Sequence, residues 1–239
     1  MLGGLGRPNL PTSQPFHYPA RVAGVKAALF AAALATRIVV DHTPAHFKIR
    51  EGTRPKASVA ILAGTLDSNS ASLSALTDGV LPTDEDQPGN NVFFRAGSWG
   101  GRIRFDFGGV IDIAEICSYS WHSDSRAPQV YKVFGSDDSD PTFNAEPSAK
   151  LDPGASGWKL IAFVDTRLTH GDDGGPYVVS ISENLGRHRY LLFDVFETES
   201  DDPWGNTFYS EIEVISGERA SRPHSASVPL AELLRGVNK

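Results

Sequence analysis

Apolar and polar residues alternate along much of this chain in short runs rather than in the three-to-four-residue rhythm of an amphipathic helix. The clearest run is 102–107, where Ile103, Phe105 and Phe107 fall on one face and Arg102, Arg104 and Asp106 on the other. A period of two puts successive side chains on opposite faces of a strand. Similar segments recur at 57–63, 113–121, 129–134, 158–164, 177–181, 188–196 and 207–215. The run at 188–196 is long and apolar enough for a central strand. In the last segment Ser210, Ile212 and Val214 face away from Glu211 and Glu213. Eight short strands joined by Gly, Pro and Asp turns predict an all-β fold, an antiparallel β-sandwich in jelly-roll order. No internal repeat is evident, and the stretches 67–74 and 84–90 read as loops.

With 239 residues, one such sandwich takes most of the length. The charge is uneven. Residues 57–217 carry ten Lys/Arg against 25 Asp/Glu, whereas 1–56 carry eight against two. A sandwich that acidic repels phosphate backbones and argues against a nucleic-acid partner. Cations, neutral polyols and basic surfaces remain open, beside the plainer reading of an acidic surface kept for solubility. Cys117 is the single cysteine, so an intrachain disulfide is impossible, and its apolar neighbours make it a small buried hydrophobe.

The N-terminus adds an address. Residues 27–35 are apolar, follow Arg21 and Lys26, and end in Ala-Leu-Ala. Those are the parts of a secretory signal, and the run is too short to span a bilayer. The alternative is a short amphipathic helix packed on the domain. The expected plan is a signal segment at 1–35, with a mature start near Thr36, then a linker at 36–56, the sandwich at 57–217 and a tail at 218–239. In that tail Leu230, Leu233 and Leu234 predict a turn or two of helix. Such a protein is secreted or displayed at the cell surface.

The pieces between 57 and 217 also occur in a recognisable order. Leu76-Thr77-Asp78-Gly79 comes first, then Arg102-Ile103-Arg104-Phe105-Asp106-Phe107-Gly108 before Ile113-Ala114-Glu115-Ile116. Gln129-Val130-Tyr131-Lys132-Val133-Phe134-Gly135-Ser136, Trp158-Lys159-Leu160-Ile161 and Arg189-Tyr190-Leu191-Leu192-Phe193-Asp194 follow. Phe208-Tyr209-Ser210-Glu211-Ile212-Glu213-Val214 closes the series. Together they resemble the discoidin, or coagulation-factor type C, domain, a galactose-binding-domain-like family that includes bacterial carbohydrate-binding modules. The resemblance implies a jelly-roll sandwich that binds ligand through loops at one end, usually outside the cell and without catalysis. The sequence departs from the family where a Thr-x-Trp is usual, reading Asn90-Asn91-Val92-Phe93-Phe94. The loop that holds an Arg in sugar-binding members is here compact, at 120–128.

Two candidate sites follow. The resemblance implies calcium near the Asp-Gly turn, with Asp78 and Glu211 as ligands, carbonyls around Leu76, and Asn91, Asp84 or Asp86 as further donors. Calcium takes six to eight oxygens, a mixture that a loop ending on a strand supplies. Without the resemblance, Asp78 caps a turn and Glu211 is a solvated strand residue. The second candidate is a sugar site. Trp99, Trp121 and Trp204 offer faces for sugar rings, and His122, Asp124, Arg126 and Asn206 offer hydrogen bonds to hydroxyls. The plainer reading of each Trp is packing at a strand end. His42 and His46 are spaced for one helical face, but Pro44 argues against a helix there. No nucleophile elbow, P-loop or dinucleotide fingerprint is present, and nothing selects a carboxylate pair for hydrolysis. A carbohydrate-binding module leads, ahead of an adhesion module for a protein or lipid surface and of a glycan-active enzyme.

Overall fold

The computed structural model describes residues 36–171, 173–198 and 205–217. Eight strands run in it: β1 (Arg37–Asp41), β2 (Ser58–Ala63), β3 (Gly100–His122), β4 (Val130–Ser136), β5 (Lys159–Asp165), β6 (Gly175–Ser182), β7 (Arg187–Phe196) and β8 (Tyr209–Ser216). All pair antiparallel. One sheet runs β1-β6-β3-β8 and the other β2-β3-β7-β4-β5. The central position expected for 188–196 is that of β7, between β3 and β4. The expected signal segment, Trp204 and the C-terminal helical turn lie outside the described residues. Among the described residues no helix is long and apolar enough to cross a membrane.

The structure corrects two expectations. The segments 102–107 and 113–121 are one strand, not two. Its first half pairs with β2 and β7, and its second half pairs with β6 and β8. The strand changes sheet at Gly108-Gly109, where the register with β7 steps between Asp106 and Ile111. Gly108 sits at φ +72 with open space around it, the conformation in which a bulge turns a strand. The expected linker at 36–56 is also part of the fold. Ile38, Val39 and Val40 are β-branched, suit a strand, and place β1 along the second half of β6, from Val178 to Ser182.

The core fills the space between the sheets with Ile103, Phe105, Ile116, Tyr131, Val133, Ile181, Leu191, Phe193 and Ile212, among others. Both outer faces are covered as well. Residues 42–56 cross the first sheet, where Phe47 meets Tyr119 and Trp121 edge-on at 5.9 and 5.3 Å between ring centres. Under that strap Glu213 accepts from the Tyr119 hydroxyl, the Arg50 N–H and Arg54 Nε at 2.5, 3.0 and 2.5 Å. Residues 137–157 cross the second sheet and bury Arg102, Asp194 and Leu192, while Phe143 stacks among Trp158 and Tyr190. Cys117 is buried beneath the first strap, and its thiol is pushed up to about 12 by burial, with the Glu115 charge adding to it. A thiol held neutral is a packing group, not a nucleophile.

Candidate functional site

β3 ends at His122, and the chain turns back through 123–129 to β4. The turn is closed by the Ala127 N–H on the Asp124 carbonyl at 2.8 Å. His122 Nδ1 lies 2.9 Å from Asp124 Oδ1, and its ring stands edge-on to Phe208 at 4.7 Å. Phe208 is itself stacked on Phe93 at 3.9 Å. On this aromatic base rests Arg126, whose guanidinium carbon is 4.9 Å from the Phe208 ring centre. Arg126 is half-buried and Asp124 exposed, so both reach solvent from a rigid base.

Residues 205–208 tie this loop to its neighbour. The Phe208 N–H donates to the Arg126 carbonyl at 2.9 Å, and the Thr207 hydroxyl to the Pro128 carbonyl at 2.6 Å. Asn206 is buried, and its amide donates to the Arg95 and Ser98 carbonyls, each at 3.1 Å. Trp99 follows, 41% exposed, its carbonyl taking the Glu197 N–H at 3.0 Å. Loops 95–99, 123–128 and 205–208 therefore form one rim. His122, Asp124, Arg126, Asn206 and Trp99 share it, with Asn206 as a brace rather than a contact.

Trp121 does not join them. Alternation along β3 puts it on the opposite face from His122, half-buried against Phe47. Phe208 and Phe93 are the residues that sequence reasoning missed. The aromatic in Asn-Thr-Phe just before the closing strand was the available signal.

The second candidate lies against β8. The 3-10 turn Leu73–Leu76 buries Ala75 and Leu76 in the core and delivers the Asp78-Gly79 turn to Glu211. The Gly79 N–H donates to Glu211 Oε2 at 2.9 Å, and Asp78 Oδ1 accepts the Val80 N–H at 2.8 Å. Glu211 is 1% exposed, not a solvated strand residue. Burial pushes its carboxyl up to about 8; the Gly79 N–H opposes this, and the nearby charges of Asp78 and Glu213 add to it. A cavity of about 280 Å³ opens beside it, lined by Arg54, Lys56, Thr77 and Phe107 among others. Asn91 is turned inward, its amide donating to the Gln87 carbonyl at 2.7 Å and its oxygen accepting from Ser210 at 2.8 Å. Asp84 and Asp86 are exposed, and Asp84 caps the Glu85 N–H. Among the described residues no three His, Cys, Asp or Glu side chains converge as a metal set.

No family model matches the chain, and a search of curated proteins finds no match. Solved structures do match. CpGH89CBM32-6 of Clostridium perfringens is 17% identical at a TM-score of 0.41, over 70% of this chain and all of that one. The CBM32 of AlyQ, in complex with 4,5-unsaturated mannuronic acid, is 14% identical at 0.42, over 68% and 98%. GH31 CBM32-2, bound to GalNAc, is 14% identical at 0.45, over 68% and 98%. All three of these structures are CBM32 modules.

Proposed function

We propose that this chain is a non-catalytic, extracellular carbohydrate-binding module that takes its ligand at the rim of loops 95–99 and 123–128. The observation that carries the reading is Arg126 braced over Phe208 beside Asp124 and His122. Arg126 over the Phe208 ring and the His122–Asp124 pair against the same ring supply donors and acceptors for vicinal hydroxyls, and Trp99 offers an apolar face. The sugar-bound modules among its structural relatives fit this reading.

Arg126→Ala is expected to weaken retention on galactose- or GalNAc-bearing affinity gels by roughly tenfold or more, and Trp99→Ala by less. Trp121→Ala should leave retention unchanged. A wild-type chain that is not retained by any glycan on an array sinks the reading.

The Asp78–Glu211 seat suits a hard cation by the chemistry of its donors, two carboxylates at a loop and strand end. Calcium there would draw its remaining oxygens from loop carbonyls and water and would fasten the Asp78-Gly79 turn to β8.

One feature favours a second reading, adhesion to a lipid surface. Leu168 is 81% exposed on α1 (Arg167–His170), and Thr166 beside it pairs with Gln129 at the same end of the sandwich as Trp99. Co-sedimentation with phosphatidylserine vesicles that is lost in Leu168→Ser and Trp99→Ser, with no glycan bound, would select it.

A further inference from the structure

A group of rings outside both sites stands where β1 and β6 end. The His42 ring lies 4.2 Å from Tyr177 and 5.2 Å from His170, centre to centre, and His170 is 5.8 Å from Tyr177. We propose that His42 and His170 chelate one divalent transition-metal ion of the copper or zinc type.

Four observations carry it. His42 Nδ1 is 2.9 Å from the Pro176 carbonyl, which can only accept, so in the neutral ring that nitrogen holds the proton and Nε2 keeps its lone pair. This is the arrangement by which ligating histidines are oriented, the far nitrogen donating to a backbone oxygen. The ring's seat is built for it. Gly175 sits at φ +122, and a Cβ there would stand 2.8 Å from His42 Cε1, so only glycine lets the imidazole lie against the strand. His170 arrives on a separate element, the turn after β5. Among the described residues no hydrogen bond engages its ring nitrogens. The spacing suits a shared ion. Two imidazoles about 2.0–2.1 Å from one tetrahedral ion have ring centres about 5 Å apart, and these are 5.2 Å apart.

Imidazole nitrogen selects copper, zinc or nickel over calcium and magnesium, so this site is chemically separate from the Asp78–Glu211 seat. No third His, Cys, Asp or Glu joins the pair among the described residues. The remaining coordination positions therefore belong to water or to a donor brought by another molecule. His46 is committed elsewhere, 2.7 Å from Asp41 Oδ2.

The test is a titration of the full chain with CuCl2 and with ZnCl2 at pH 7.5, read by calorimetry, with Cu(II) electron paramagnetic resonance on the copper sample. One equivalent with two nitrogen donors is expected. His42→Ala and His170→Ala should each weaken it by roughly tenfold or more and remove one nitrogen, while His46→Ala leaves it unchanged. His170 lies on a surface turn, so its variant keeps the fold, which circular dichroism verifies. An absent equivalent, or one that both single variants retain with its nitrogens intact, overturns the proposal.

Discussion

An Arg102→Ala chain should unfold roughly 10 °C below the parent, a loss of about 3–5 kcal/mol at the slope expected for a domain this size. Arg102 is 4% exposed. Its Nε and Nη2 face Asp194 at 2.9 and 3.4 Å, and its Nη1 reaches the carbonyls of Pro147, Ser148 and Leu151 at 3.3, 2.6 and 2.8 Å. Truncation strands a buried carboxylate and unfastens the 137–157 strap together. The cost comes from leaving Asp194 unpaired, so an Arg102→Met, Asp194→Leu double variant should recover much of it. Thermal melts of the single and double variants decide the matter. A single variant within 2 °C of the parent would show that the pair contributes little.

The second large effect is a dependence on pH and cation centred on Glu211. Its folded carboxyl titrates near 8, above the ordinary value of 4.5, so the folded protein holds this proton more tightly than the unfolded chain. Stability from this group is therefore full below pH 4.5, falls as pH rises from 4.5 to 8, and is level above that. In chelator, Glu211→Gln should flatten this slope and melt above the parent at pH 8, by about 2–4 °C for each kcal/mol of penalty relieved. Added calcium should raise the melting temperature of the parent at pH 8 but not that of the variant. Parallel melting profiles for the two proteins between pH 5 and 8 would refute the titration. A calcium-insensitive parent would refute the cation alone.

Much of the sandwich was legible because its strands carry their period in the side chains, as the segment 102–107 does. The join between 102–107 and 113–121 was not. Gly108-Gly109 reads as a chain break in sequence, and only the pairing partners on either side reveal a strand that changes sheets. β1 was hidden by its neighbour, since Ile38-Val39-Val40 abuts the apolar run at 27–35. The straps over the outer faces left a trace in Tyr190 and Leu192, apolar residues on the face of β7 that points away from the core. At the candidate rim, Arg126 and His122 were visible by type, but their base was not, because Phe93 and Phe208 come from segments 115 residues apart and meet only in the fold. Trp121 illustrates the reverse. Strand alternation already separates it from His122, whereas proximity in sequence suggested a shared site.

β1 has a consequence for how the molecule behaves in concentrated solution. It lies along β6 from Arg37 opposite Ser182 to Asp41 opposite Val178, and so satisfies the hydrogen-bonding groups on one side of Val178-Val179-Ser180-Ile181. A protein trimmed to begin after Asp41 would present that mostly apolar row as an open edge, ready to pair with the same row of another molecule. Five residues that read as a connector thus serve as a guard against self-association. Their removal should appear first as turbidity and light scattering on standing, with the folded core still intact.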